Sequence, residues 1–236
     1  MKWFTLLLSI SLVSCAHRET TYVYGSPLPV ADPVFKGVAQ IFLDREEGQV
    51  TGTAFAFADN GSEIYMLTAD HICQEVGRGV IATTIPPHEG TREKYAGRVV
   101  YTSEDGDTCI LRLEEASGAF EVLRFAPESP RTGDRVYTIG APSGAFPTKT
   151  EGYVVGHDFL GTEPDESGDP KMILITSVPA YGGNSGGPVY NERHEVVGMI
   201  SAVHHEYPHS SISVHVEFLL EHVDIYFKQQ SNLHFQ

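Results

Sequence analysis

The sequence predicts an all-β protein, two packed six-stranded antiparallel β-barrels closed by a C-terminal α-helix. Three observations carry that prediction. Short β-type runs fall into two sets of six, a Pro/Gly-punctuated stretch at 126–133 separates the sets, and no long helical period occurs before the end of the chain. The first set covers 34–43, 51–58, 63–68, 80–85, 95–101 and 109–113. Within it Gly52-Thr53-Ala54-Phe55-Ala56-Phe57 alternates small and aromatic residues, and Asp59-Asn60-Gly61-Ser62 is a turn that makes a hairpin of the second and third runs. The second set covers 135–139, 152–155, 172–177, 188–190, 196–203 and 211–216. Phe218, Leu219, Val223, Tyr226 and Phe227 then recur at helical spacing and mark a short amphipathic helix. The expected boundaries are about 34–125 and 126–216 for the barrels and 217–229 for the helix. No repeat or low-complexity tract interrupts this order, and no further domain is expected after residue 230.

The 236 residues, 41% of them apolar and 20% charged, suffice for a real core. Formal charge is −15, with 31 acidic residues against 16 Lys plus Arg. Phosphate binding needs clustered Lys and Arg, so this balance argues against a nucleic-acid partner.

The first residues read as an export signal. Lys2 supplies a positive start, and the apolar run at 3–13 is too short to span a bilayer. Leu12-Val13-Ser14-Cys15 resembles a bacterial lipobox. That resemblance implies a signal peptide over 1–14, cleavage before Cys15, lipidation of its thiol and attachment to the cell envelope. Ala16, in place of Asp, points under the Gram-negative sorting pattern to the outer membrane. Without lipidation, the same leader would export a secreted protein. Residues 15–33 are polar, carry Pro27, Pro29 and Pro33, and read as a tether. Cys73 and Cys109 have two readings, buried free thiols first and a disulfide second, the latter open to an exported chain.

The chemistry centres on Gly182-Gly183-Asn184-Ser185-Gly186-Gly187-Pro188. Glycines around a serine suit a tight turn that presents a hydroxyl and lets a carbonyl approach the main chain. The N–H groups of Gly183 and Ser185 can converge there on a developing oxyanion. Neither cysteine competes as nucleophile with a serine so framed. A base needs a rigid mount, and His71 stands just past the apolar run ending Leu67-Thr68-Ala69. A carboxylate must orient that imidazole. Asp107 fits, opening Asp107-Thr108-Cys109-Ile110-Leu111-Arg112-Leu113 at the mouth of an apolar run.

In that order, Thr68-Ala69-Asp70-His71, Asp107 ahead of Leu111, and Gly183-Asn184-Ser185-Gly186-Gly187-Pro188 resemble the trypsin-like (chymotrypsin-fold) serine peptidases. Within them the bacterial branch of HtrA-type proteases and glutamyl endopeptidases is most similar. Gly52-Thr53-Ala54-Phe55, Ile139-Gly140-Ala141-Pro142-Ser143-Gly144 and the strand from Glu195 to Ala202 extend the likeness over roughly 35–228. The resemblance implies a catalytic triad of Ser185, His71 and Asp107, an oxyanion hole of Gly183 and Ser185, an acyl-enzyme, a protein or peptide substrate and no cofactor. It places Pro179 at the base of the P1 pocket and Ser201, Ala202 and Val203 along its wall. With no acid at that base, Lys or Arg at P1 is disfavoured. Val203 stands where many relatives have Gly, so small or branched apolar P1 residues such as Ala or Val are expected. Glutamate is the alternative, prompted by His204 and His205, although Ile200 occupies the strand position where glutamyl enzymes hold a histidine.

Three departures qualify the likeness. Asp70 precedes His71 where relatives carry a small residue or Asn, and its side chain should project away from the imidazole. Asn184 replaces the aspartate that pairs with a freed N-terminus in animal digestive enzymes, so that activation route is not expected. No stretch of the sequence is read as the PDZ module of HtrA relatives, so peptide-triggered trimer regulation is not expected. His204, His205 and His209 match no zinc spacing and read as loop histidines. The five carboxylates in 157–169 read as a solvated acidic loop. Two other functions share these residues: a non-hydrolysing binding or sensing platform, and an esterase using the same triad.

Overall fold

The computed structural model describes residues 32–45, 48–84, 92–103, 106–160, 171–203 and 209–233. The expected signal peptide, Cys15, the tether up to residue 31, His204 and His205 lie outside the described residues, as does the acidic stretch at 161–170. Strands β1 (Val38–Arg45), β2 (Gly48–Asp59), β3 (Ile64–Thr68), β4 (Gly79–Thr83), β5 (Lys94–Ser103) and β6 (Thr108–Leu113) form a closed antiparallel barrel in the order β1-β2-β3-β6-β5-β4. The ring closes where Ile41 of β1 lies opposite Ala82 of β4. The β2–β3 turn forms at the expected residues. Gly61 takes a φ of +92°, and the Asn60 side chain accepts the N–H groups of Ser62 and Glu63.

The second barrel uses β8 (Arg135–Gly140), β9 (Thr148–Leu160), β10 (Lys171–Thr176), β11 (Pro188–Tyr190), β12 (Glu195–Val203) and β13 (Ser211–His215). Their order is β11-β8-β9-β10-β13-β12, and β11 pairs with β12 to close the ring. The two-residue β7 (Arg124–Phe125), expected inside the first barrel, instead pairs in parallel with β12 and belongs to the second. A core of Val136, Val154, Leu174, Val189, Val197 and Ile200 fills that second barrel. The larger cluster runs from Ile41, Phe55, Leu67 and Ile110 through the interface to Ile139, Tyr190 and Met199, which seats the barrels against each other.

The expected first run does not begin as a strand. Asp32 accepts the Val34 N–H at 3.0 Å and Pro33 presets a helical φ, so Pro33–Gly37 is a 3-10 helix and β1 starts at Val38. The same carboxylate receives Lys149 at 2.6 Å and Tyr190 Oη at 2.8 Å, tying the segment that enters the domain to β9 and β11. Burial alone would raise the Asp32 pKa, but these three hydrogen bonds and the Lys149 charge hold it below the ordinary carboxylate value. Strand β9 is longer than expected because it pairs with β8 on one edge and β10 on the other. The ladder carries His157 and Asp158 out of the anticipated loop and into the strand.

Helix α2 (Val216–Leu233) follows the second barrel but packs on the first. Tyr226 and Phe227 meet Tyr65 with ring centroids 6.1 and 5.6 Å apart, and Phe227 also meets Phe57. Leu219 and Tyr226 are buried, and each such side chain contributes roughly 1.5–3 kcal/mol. The helix is therefore a strap across both barrels.

Candidate active site

His71 is the second residue of α1 (Asp70–Cys73), a single helical turn directly after β3. Its position is held from several sides. The Asp107 Oδ1 accepts the His71 main-chain N–H at 3.0 Å. The imidazole Nδ1 lies 3.0 and 3.1 Å from the two oxygens of the same carboxylate. On the opposite side Arg45 Nη2 donates to the carbonyls of His71 and Ile72, at 2.5 and 2.7 Å, and satisfies groups that end so short a helix.

Cys73 and Cys109 are joined in a disulfide, with Cα atoms 6.5 Å apart, which corrects the reading as free thiols. Thr68 and Cys109 are directly opposed in the β3–β6 ladder, so the turn leaving β3 returns Cys73 over β6. The bridge therefore fastens the His71 turn to the strand that Asp107 opens. Opening this 36-residue loop with Cys73→Ala/Cys109→Ala is expected to cost about 2–4 kcal/mol in urea unfolding. Unchanged stability would show that the bridge contributes no constraint.

Asp107 takes a left-handed φ of +41°, which aspartate tolerates better than most residues. Its second oxygen accepts the Ser201 hydroxyl at 2.5 Å. Burial pushes the Asp107 pKa up, but hydrogen bonds from His71, its charge and the Ser201 hydroxyl outweigh burial and hold the value below the usual one. Asp70 is buried, and burial raises the pKa of the Tyr101 hydroxyl while the Asp70 charge raises it further.

Two glycines of the serine loop have no substitute. Gly183 and Gly186 adopt φ of +101° and +83°. A Cβ at the first would collide with Ala141 O, and at the second with Thr53 O and Thr68 Oγ1. The close approach is thus to the protein's own main chain as well as toward the cleft. Within 183–187, the Asn184 N–H goes to Tyr181 O at 2.9 Å, and those of Gly186 and Gly187 go to Ile200 O and Asn184 O at 2.8 Å. Among the described residues no acceptor takes the N–H of Gly183 or of Ser185. The carbonyl of the Gly182–Gly183 peptide accepts Ser143 N–H at 2.7 Å, so the Gly183 N–H of that planar trans unit points the other way.

Ser185 Oγ donates to Ser201 O at 3.3 Å and, among the described residues, makes no hydrogen bond to His71. Ser201 thus joins the sites, its hydroxyl on Asp107 and its carbonyl on Ser185. That hydroxyl is committed to the acid, so any share of Ser201 in a pocket wall falls to its main chain. Pro179, Ala202 and Val203 are exposed, and Pro179 O accepts Thr150 Oγ1 at 3.2 Å. Sequence reasoning missed Arg45, which no local signal marks, and the part played by Thr53, visible only as a member of the Gly-Thr-Ala-Phe stretch.

Two closed six-stranded barrels, with an imidazole–carboxylate pair on the first and a glycine-bounded serine on the second, define the chymotrypsin-like class of folds. The chain belongs to the trypsin-like peptidase domain family, which its residues 52–199 match. It is 29% identical over 165 residues to a probable periplasmic serine endoprotease, DegP-like, of Pseudomonas fluorescens, covering 68% of this chain and 31% of that one. It is 28% identical over 162 residues to the serine protease Do-like HtrA of Bacillus subtilis, covering 67% and 34%. The chain thus spans about a third of the length of these curated relatives. The active form of the Rv3671c protease from M. tuberculosis superposes with a TM-score of 0.69 at 20% identity, covering 83% of each chain.

Proposed function

We propose that this protein is an exported serine endopeptidase that hydrolyses peptide bonds through Ser185, His71 and Asp107. The observation that carries the reading is the Asp107 carboxylate, which receives both the main-chain N–H and Nδ1 of His71 and, through Ser201, connects to Ser185. An imidazole that donates Nδ1–H to a carboxylate keeps the Nε2 lone pair free as a base. In the proposed reaction the Ser185 hydroxyl leaves Ser201 O and donates to that base, a contact of the kind that often tightens only when substrate binds. Oγ then adds to the peptide carbonyl carbon while His71 takes the proton. The carbonyl oxygen becomes an oxyanion facing the unoccupied N–H groups of Gly183 and Ser185. His71 returns the proton to the leaving amine, and water, deprotonated in turn by His71, releases the acyl group from Ser185.

The proposed P1 preference is for small or branched apolar residues. It is supported by Val203, exposed two residues beyond Ser201, and by the absence of a carboxylate at Pro179. Export is supported by the leader and by the periplasmic names of relatives, and the cysteine at position 15 supports lipid attachment to the cell envelope. Digestion of a proteome-derived peptide library with residues 16–236 tests activity and specificity together. Cleavage after Ala and Val is expected. Equal cleavage after Arg and Val would contradict the pocket assignment, and dominant cleavage after Glu would establish the glutamyl alternative.

A further inference from the structure

Thr53 lies on β2 of the first barrel, is fully buried, and makes four hydrogen bonds. Its Oγ1 donates to Gly183 O at 2.7 Å and accepts the Ala141 N–H at 3.1 Å. Its N–H donates to Ser185 O at 2.9 Å, and its carbonyl accepts Thr68 Oγ1 at 2.7 Å. One residue of the first barrel therefore holds the carbonyls of Gly183 and Ser185, which bracket the Asn184–Ser185 peptide, and the amide of Ala141, against which Gly183 packs.

We infer that Thr53 is a positioning residue, whose hydroxyl sets the orientation of the Gly183 and Ser185 N–H donors. The main-chain bonds of the loop engage Gly182 O and the N–H groups of Asn184, Gly186 and Gly187, and none of them reaches the Gly183 oxygen. Gly183 has no side chain, and its positive φ leaves the flanking peptides free to rotate unless their oxygens are bound. The Gly182 oxygen is held by Ser143 N–H, the Gly183 oxygen by Thr53 Oγ1 and the Ser185 oxygen by Thr53 N–H. Losing the hydroxyl would orphan both the Gly183 oxygen and the Ala141 N–H in a buried site, and rotation of the 183–184 peptide is the direct way to relieve the first. The 183–184 plane carries neither donor but joins the 182–183 and 184–185 planes that do, so its rotation shifts those planes and draws the Gly183 and Ser185 N–H groups off a common target. Because Thr53 touches no substrate, its loss acts on the transition state and spares ground-state binding.

The inference rests on the reading of Ser185 as nucleophile, and the experiment separates the two. Thr53→Val keeps the shape and removes only the hydroxyl. Its kcat for a peptide amide is expected to fall about 30- to 100-fold with KM within threefold, a partial loss of the effect of one oxyanion donor. Thr53→Ser is expected to restore turnover to within about threefold, as the returned hydroxyl re-forms both bonds. Hydrogen exchange at the Ala141 amide is expected to accelerate in Thr53→Val and to stay slow in Thr53→Ser. If Thr53→Val does not fold, the same comparison is made between Thr53→Ala and Thr53→Ser, which differ by one oxygen. Unchanged kcat, a loss that serine does not rescue, or unchanged Ala141 exchange would overturn the inference. A wild-type protein that hydrolyses nothing would overturn the reading of Ser185 instead, and Ala141 exchange would still decide whether the hydroxyl holds the loop.

Discussion

Ser185→Ala is expected to lower kcat for a peptide amide by about a millionfold, and Ser185→Ala/His71→Ala to lower it no further. Nucleophile and base act as a unit, since an imidazole with no hydroxyl to deprotonate contributes nothing to attack. Residual turnover would come from the Gly183 and Ser185 N–H donors, whose positions are set by hydrogen bonds that neither substitution touches. A fluorophosphonate probe reads the same event without a chosen substrate. Wild type should label on Ser185 and the alanine variant should not. A double variant much worse than either single one, or labelling that survives Ser185→Ala, would place the nucleophile elsewhere. A wild-type protein that resists the probe would favour the non-hydrolysing platform, and labelling with ester but no amide turnover would favour the esterase.

Asp107→Asn is expected to reduce kcat by about ten-thousandfold while leaving the fold intact. The asparagine NH2 would face His71 Nδ1, which would then accept rather than donate. The proton moves to Nε2, the nitrogen needed as base. The asparagine oxygen can stay at the Oδ1 position and keep the His71 main-chain N–H, while its NH2 at the Oδ2 position donates to Ser201 Oγ, which is why the loss is electronic more than structural. The same carboxylate carries a pH signature. Its folded pKa lies below the ordinary aspartate value of about 3.9, so its ionised form contributes stability that is complete above that pH. That contribution disappears as pH falls through the lower folded value. Wild type should therefore lose stability relative to Asp107→Asn as denaturation is followed below about pH 4, where the other carboxylates cancel in the comparison. A difference flat across that range would mean that Asp107 is not stabilised in its charged form.

Much of this architecture was legible before the fold was seen. The strand runs announce themselves by apolar content and by Gly, Pro, Asn and Asp at their ends, all local properties. Ile64–Thr68 and Thr108–Leu113 emerged close to the expected limits because each is an almost unbroken apolar run buried in the barrel. Pro33–Gly37 did not, since Val34 and Phe35 read as strand while the Asp32 cap and Pro33 bend the chain first. Arg124–Phe125 falls outside the expected strand runs because two residues carry no period, and only Glu195 and Val196 opposite them decide where they pair. The resemblance names Ser201 for the pocket wall, and that its hydroxyl binds Asp107 shows only in the structure, because a strand pattern gives the face of a hydroxyl but not its acceptor.

The chain order of His71, Asp107 and Ser185, and the glycines around the last, follow from the sequence alone. Residue type and neighbour spacing mark a glycine-framed serine turn, and the resemblance to the trypsin-like peptidases is what singles out His71 and Asp107 as the expected base and acid. What holds those groups at one cleft came only with the tertiary structure. Thr53 reaches Gly183 across 130 residues, Ser201 reaches Asp107 across 94, and Cys73 closes on Cys109 across 36. A hydrogen bond or disulfide between residues so distant depends on angstrom-scale placement by barrel closure and packing, which no local pattern encodes.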